Sequence, residues 1–335
     1  MIKTMSNISR RVCLGGVACG LAMAVEGTRG GRAADAIQLR LATADSPADT
    51  PYKVGRMFAD AVARRTDGKY QIQLFGGSTL GSATNLSSSL QTGILDCAIL
   101  TSGFLESFVP SIQVIDLPFL FKDESSAAKI LDGDVGRRLF ADMEAKNIIG
   151  LEWGWFGWRN METRDKAIVT PNDLRGLKMR IQPGAVFAAM FKAVGAIPVA
   201  IDGSEVYLAL SQKTVDGLEF PLPTAVNFKV YEVTKHLAMT KHAYNAGPLM
   251  VSKARWTQMT SDDRDAFRAA AKEVLPYWRS AITEASVDAE RVLQERGMQV
   301  TETDYPAFRA KMEPVYDEFR PKYKALFDMI AAQQA

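Results

Sequence analysis

Two arginines and one aromatic run hold most of the chemistry this sequence can offer. In DLRGLKMRIQPGA, residues 173–185, Leu177, Met179 and Ile181 alternate with Lys178, Arg180 and Gln182. That period of two predicts a half-buried strand with a helix opening just beyond it. In an open α/β sheet, ligands bind outside the carboxyl ends of the strands, where a guanidinium presents a planar fork to a carboxylate. The competing reading is a surface strand arginine paired with a nearby acid, and residue type alone favours it, because most arginines are exposed. Arg159, in GWRNMET, has the same two readings. The run EWGWFGW supplies Trp153, Trp155, Phe156 and Trp158, which either wall a cleft or pack as core between lobes.

Other chemistries find little support. His236 and His242 are the only histidines, and a separation of six does not make a helical ligand pair for zinc. There is no Walker loop, no G-x-G-x-x-G after the first strand and no G-x-S-x-G elbow, which weakens the enzyme readings and leaves a carboxylate-based hydrolase as the alternative. The acid pairs Asp123/Glu124 and Asp262/Asp263 stand where helices begin and read as caps.

The elements that must position Arg180 follow from the alternation of strand and helix patterns. Strands are expected over 37–43, 70–75 and 95–101, with a helix from about Pro51, capped by Thr50, and another ending near Gly93. Two helical patterns then lead to a strand over 148–153. A second alternation has strands over 177–182, 197–201 and 214–220, a helix with Val186, Phe187, Met190, Phe191 and Val194 on its apolar face, and a helix opening at Ser204. Two β-α-β-α-β units predict two parallel α/β lobes. Residues 261–296 read as one helix interrupted only by Pro276, roughly 50 Å long at the helical rise and able to brace both lobes.

A length of 335 residues with 47% hydrophobic composition is enough for two such lobes. Lys3, Arg10 and Arg11 precede an uncharged apolar run over 12–25 that is too short to span a bilayer, so residues 1–34 are expected to be an export signal. SRRVCL, residues 9–14, is close to a twin-arginine pattern; the Sec route and cleavage after Ala24 or Ala36 both remain open. Cys13 and Cys19 lie in the signal, leaving Cys97 alone and no intramolecular disulfide. The signal also holds the excess of positive charge. Without it, 35 basic and 37 acidic residues remain, which removes the main support for a nucleic-acid partner.

At the level of ordered motifs, DLRGLKMR and VGAIPVAIDGSEVYLALSQKTVDGLEFPL (194–222) resemble the solute-binding proteins of tripartite ATP-independent periplasmic (TRAP) transporters, the DctP-like family. FADAVARRTDGKYQIQLFGGSTLG (58–81), GILDCAIL (93–100) and VIDLPFLF (114–121) extend the resemblance over the mature chain. It implies a non-enzymatic periplasmic protein with the two-lobed periplasmic-binding-protein fold, hinge segments between the lobes and a long bracing helix. The expected division is 35–156 plus 245–284 for lobe I and 157–244 plus 285–335 for lobe II. The implied function is capture of an organic acid and its delivery to a membrane permease, with a ligand-sensing role as an alternative.

The resemblance also makes Arg180 the carboxylate arginine, as the R of GLK-x-R, and Arg159 the second, less uniform one. Phe220 stands where sialate-type members have Asn and Gly203 where they have an aromatic, which argues for a smaller or more apolar acid than a polyhydroxylated sugar acid. A dicarboxylate is allowed if Arg159 takes a second carboxyl. First-lobe contacts are expected near Thr43 to Ser46, Leu80/Gly81 and Thr101/Ser102, and aromatic partners among Trp153, Trp158, Phe220 and Tyr244. Glu219 is a candidate ligand residue; no acidic cluster marks a metal site, and no cofactor is expected.

Overall fold

The fold begins with β1 (Ile37–Thr43), α1 (Thr50–Arg65), β2 (Tyr70–Phe75), α2 (Ala83–Thr92) and β3 (Cys97–Ile99), a parallel unit in the order β2-β1-β3. The computed structural model describes residues 36–334; the expected export signal lies outside the described residues. After α3 (Glu124–Leu131), α4 (Asp134–Glu144) and β4 (Ile148–Thr163), a second parallel unit follows. It consists of β5 (Lys178–Ile181), α5 (Ala185–Ala193), β6 (Ile197–Ala200), α6 (Val206–Ser211) and β7 (Gly217–Pro221), in the order β7-β5-β6. The chain continues through α7 (Leu222–Asn227), β8 (His236–Ser252), α8 (Lys253–Trp256), α9 (Ser261–Glu295) and β9 (Gln299–Thr301) to α10 (Tyr305–Ala310), α11 (Glu313–Phe319) and α12 (Lys324–Gln334).

Both expected alternations are present, and what joins them differs from the sequence reading. The strand expected over 148–153 runs for 16 residues, through the aromatic run and GWRNMET, and pairs antiparallel with the 17-residue β8, which has no counterpart in the periodicity. Their residues are buried on both faces along most of their length, and a strand covered on both sides shows no alternation. β4 and β8 sit between the two parallel units, so a single nine-stranded sheet passes through both halves. Similarly, β5 is buried on both faces rather than half-buried, with Met179, Arg180 and Ile181 all inside.

Pro51 does occupy the first turn of α1, but the N-cap is Asp49, one residue before the expected Thr50. The Asp49 carboxylate does not cap the helix; it accepts from the Ser46 amide at 2.6 Å and the Ser46 hydroxyl at 2.7 Å. The two acid pairs do begin helices. Asp123 accepts from the Ser126 amide at 2.7 Å in a capping box on α3, and Thr260 and Asp263 form another on α9. At 35 residues α9 is about 52 Å long at the helical rise, and its side chains enter two hydrophobic cores. Phe267 packs edge-on to Phe58 and Tyr70 in the first, whereas Ala289 and Leu293 belong to the second, with Val206 and Leu218. Midway, the Trp278 indole donates to the Trp155 carbonyl at 2.7 Å and lies over Gly154.

Candidate functional site

Between the two parallel units lies a cavity of about 60 Å³. The first half contributes Ala44 and Asp45 just after β1, Ala83 at the start of α2, and Leu100, Thr101 and Phe104 just after β3. The second half contributes Arg180 and Gln182 at the end of β5, Gly203, Phe220 and Pro221 at the end of β7, and Thr224 and Phe228. Phe156 and Arg159 of β4 and Asn245 of β8 complete the lining. The cavity therefore sits outside the carboxyl ends of the parallel strands, where an α/β sheet leaves a crevice.

Strand geometry decides which side chains reach it. Gln182 follows β5 directly, two residues beyond Arg180, and both side chains reach the cavity. On β4 the register against β8 shifts between Trp155 and Gly157, and Gly157 has φ +107°, a backbone conformation that disfavours a side chain. This bulge reverses the parity of the strand, so Phe156 and Arg159 both face the cavity although they are three apart.

Of the residues singled out in the sequence, Arg180, Arg159, Phe220 and Thr101 line the cavity together. Glu219 stands one layer behind, bound to Arg159. Trp153, Trp158 and Tyr244 do not line it. Trp153 stacks on Phe140 with centroids 4.9 Å apart; Tyr244 packs edge-on against Trp155 and Trp158; Trp158 borders a separate surface hollow with Lys241 and Glu124. Ala83 occupies the place expected of Leu80/Gly81. Gln182, Asn245, Phe104 and Phe228 were not singled out. The signal for Gln182 was its spacing from Arg180, whereas Asn245 lies on a strand that periodicity did not disclose.

The two arginines differ in what remains free. Arg180 is 1% exposed; its Nε donates to the Ile201 carbonyl at 2.8 Å, its guanidinium lies 4.9 Å from the Phe220 ring centre, and its Nη1 has no partner. Burial, and secondarily Arg159, bring its pKa down to about 10, so it remains a cation at neutral pH. Arg159 is committed instead. Its Nε and Nη2 both bind the Glu219 carboxylate, Nη2 at 2.7 Å, and Nη2 also donates to the Glu219 carbonyl at 2.7 Å. Burial alone would raise the Glu219 carboxyl, but Arg159 and His242 hold it below the ordinary range. His242, itself kept neutral by burial, has Nε2 3.6 Å from Glu219 and Nδ1 2.7 Å from the Thr240 hydroxyl.

Several polar atoms of the cavity-lining residues are buried without partners. Besides Arg180 Nη1, these are Gln182 Nε2 and Asn245 Oδ1. The other oxygen of the Gln182 amide accepts from the Thr101 hydroxyl at 3.0 Å, a bond that crosses from one half to the other. Asp45, at the cavity edge, is raised to about 7 by burial and by Asp49, and Asp49 in turn accepts from the Asn227 amide of the second half. Among the described residues, no group of three or more acidic, His or Cys side chains is arranged to hold a metal.

Two parallel α/β units joined by shared long strands, a helix entering both cores and a cavity with a buried cation between them define a periplasmic binding protein. Residues 41–322 match the bacterial extracellular solute-binding proteins of family 7, DctP, and the chain belongs to that family. The 2,3-diketo-L-gulonate-binding periplasmic protein YiaO of Escherichia coli (strain K12) is 32% identical over 271 residues, 81% of this chain and 83% of that one. A TRAP periplasmic solute binding protein from Polaromonas sp. JS666, solved with D-erythronate, matches with a TM-score of 0.85 and 34% identity over 89% of this chain and 98% of that one. One from Bordetella bronchispeptica, with density interpreted as pantoate, matches with a TM-score of 0.86 and 31% identity over 89% and 99%. The family is extracytoplasmic and consists of solute-binding proteins, not enzymes. No helix of the described residues is long and apolar enough to cross a membrane.

Proposed function

We propose that this protein captures a small organic acid, pairs its carboxylate with Arg180, closes over it and delivers it to the permease of a TRAP transporter. The observation that carries this reading is the buried Arg180 guanidinium, which lines the cavity with Nη1 unpartnered. A buried cation with an open donor is costly unless an anion completes it. Gln182 Nε2, two residues on, is a second donor for the same carboxylate. Arg159 gives Nε and Nη2 to Glu219, so a second carboxyl would meet the single donor Nη1 there and not a fork, which favours a monoacid over a dicarboxylate. Asn245 Oδ1 and Asp45 are acceptors suited to a hydroxyl, and Phe104, Phe156, Phe220 and Phe228 exclude water around the remaining carbons.

The cavity is small and walled largely by phenylalanines, which favours a compact acid. D-Erythronate and pantoate, found with the Polaromonas and Bordetella proteins, are of that kind. The lobes of the closing motion are 35–156 with 245–284 and 157–244 with 285–335. Two of the three crossings between them fall at Gly157 and Asn245, register partners on β4 and β8, and the third lies within α9; the bulge at Gly157 supports a hinge there.

The test is a thermal-shift panel on mature protein stripped of ligand, with D-erythronate, pantoate, succinate and a neutral sugar. An acid at 100 times its dissociation constant adds roughly 2.7 kcal/mol of stability. Arg180→Met should weaken that acid by at least about thirtyfold, the lower end for truncating a buried charge pair. Full affinity in Arg180→Met, or a shift with the neutral sugar alone, overturns the reading.

A further inference from the structure

Glu106 and Asp116 are a buried acid pair that carboxylate capture does not use. Glu106, 3% exposed, follows the 3-10 turn Ser102–Leu105 of the first half; Asp116, 1% exposed, ends the turn Pro110–Asp116. One oxygen of each is satisfied. Glu106 Oε2 accepts from the amide of Ala185, the first residue of α5 in the second half, at 2.7 Å, and Asp116 Oδ1 accepts from the Ser102 hydroxyl at 2.5 Å. The other oxygens, Glu106 Oε1 and Asp116 Oδ2, are both buried with no donor, and the two carboxyls lie close enough to share a proton. A Cβ on Gly184 would stand 2.6 Å from Glu106 Oε1, so this approach to α5 depends on a glycine there.

Two ionised carboxyls held together in the interior repel; a single proton shared between them makes a hydrogen bond of the pair. We propose that Glu106 and Asp116 are a proton-binding site, one proton bridging Glu106 Oε1 and Asp116 Oδ2 in the closed state, so that solute capture takes up a proton. The coupling rests on the reading of this cleft as one that closes on a solute. Opening withdraws α5 from Glu106, and the hydrated pair then gives the proton up.

The charged and titratable groups facing the pair are Arg159 and Glu219, which are bound to each other, on the Asp116 side and Tyr323 on the Glu106 side, with the Ala185 and Val186 amides at the start of α5. Burial first, then Asp116, pushes Glu106 up to about 9, and burial pushes Asp116 up to about 7 against the Ser102 hydroxyl and Arg159. The sign follows from linkage. A carboxyl raised in the closed state favours closure at low pH, and that contribution is lost as pH rises through about 7 and then about 9. Asp45, raised to about 7, and Glu162, raised well above its ordinary value by burial, titrate as well, so variants of the pair are what separate its proton from theirs.

Calorimetric titration with D-erythronate, pantoate and succinate tests this from pH 6.5 to 9, in two buffers of different ionisation enthalpy so that protons are counted. Proton uptake by the wild type should be close to one per solute near pH 7.5 and fall to about half near pH 9, with Kd rising by up to tenfold per pH unit at the lower end. Glu106→Gln keeps the acceptor for Ala185 and supplies a permanent donor to Asp116, so its uptake and slope in that window should vanish; Asp116→Asn is the second variant and should do the same. A flat wild-type profile, or a slope that survives in both variants, overturns the proton site. Failure of all three acids to bind at any pH overturns the solute reading instead, and the coupling with it.

Discussion

Replacing Glu219 by Gln leaves Arg159 buried beside an amide that has one acceptor oxygen and no charge. In the native protein the Arg159 Nε and Nη2 share that carboxylate, Nη2 has the Glu219 carbonyl as well, and both side chains are within 2% of full burial. The variant keeps the carbonyl and one acceptor, so the loss is the counter-charge rather than every hydrogen bond. Removing one partner of a buried pair costs about 3–5 kcal/mol, because the remaining charge is stranded away from water. At about 2–4 °C per kcal/mol for domains approaching this size, Tm should fall by roughly 6–20 °C, toward the lower end because the shift per kcal/mol shrinks with chain length. Scanning calorimetry on ligand-free mature protein measures it. The double variant Arg159→Met with Glu219→Leu removes both charges and should regain most of the loss, since an apolar pair of similar volume is often neutral or stabilising. The pH profile has a definite sign: a carboxyl held below its ordinary value contributes above that value, and its contribution fades as pH falls through the depressed one, so Glu219→Gln should flatten acid destabilisation. A single variant within about 1 kcal/mol of wild type, or a double variant as unstable as the sum of the singles, refutes the stranded-charge argument.

Two glycines test close approaches on either side of the cavity. A Cβ on Gly103 would stand 2.4 Å from Gln182 Nε2 across the cleft, so Gly103→Ala should weaken the bound acid while leaving the Tm of ligand-free protein near wild type; unchanged Kd would show that this approach is not part of closure. A Cβ on Gly154 would stand 2.2 Å from the Trp278 ring, so Gly154→Ala should cost about 1–3 kcal/mol through overpacking of α9 on β4, read as a lower denaturation midpoint, and a midpoint equal to wild type would contradict it.

The parallel units were legible because each strand is short, each helix shows one apolar face, and Pro51, Gly93 and Gly195 punctuate them. β4 and β8 were not, because a strand buried on both faces loses the alternation that identifies it, and the aromatic run then reads as a patch rather than as a path between halves. The same loss explains the site. Arg180 was legible as a strand-terminal cation with a resemblance behind it, but its burial, the commitment of Arg159 to Glu219 and the participation of Asn245 are tertiary facts that spacing along one strand does not contain.

The bulge at Gly157 ties these failures together. Read as an uninterrupted strand, Phe156 and Trp158 share a face and Arg159 points away from both; with the register shift before Gly157, Phe156 and Arg159 meet in the cavity while Trp158 turns to the opposite surface beside Lys241. Gly157 is also the register partner of Asn245, so the backbone irregularity, a cavity acceptor and the expected crossing between lobes fall at one rung of the ladder. A rotation of one half against the other about that rung would move Arg180 and Gln182, at the end of β5, relative to Thr101 and Asp45, on the β1-β3 side, while Arg159 and Asn245 stay near the axis. Such a rotation would move the groups proposed to meet the solute most, and the charge pair whose disruption is most costly least.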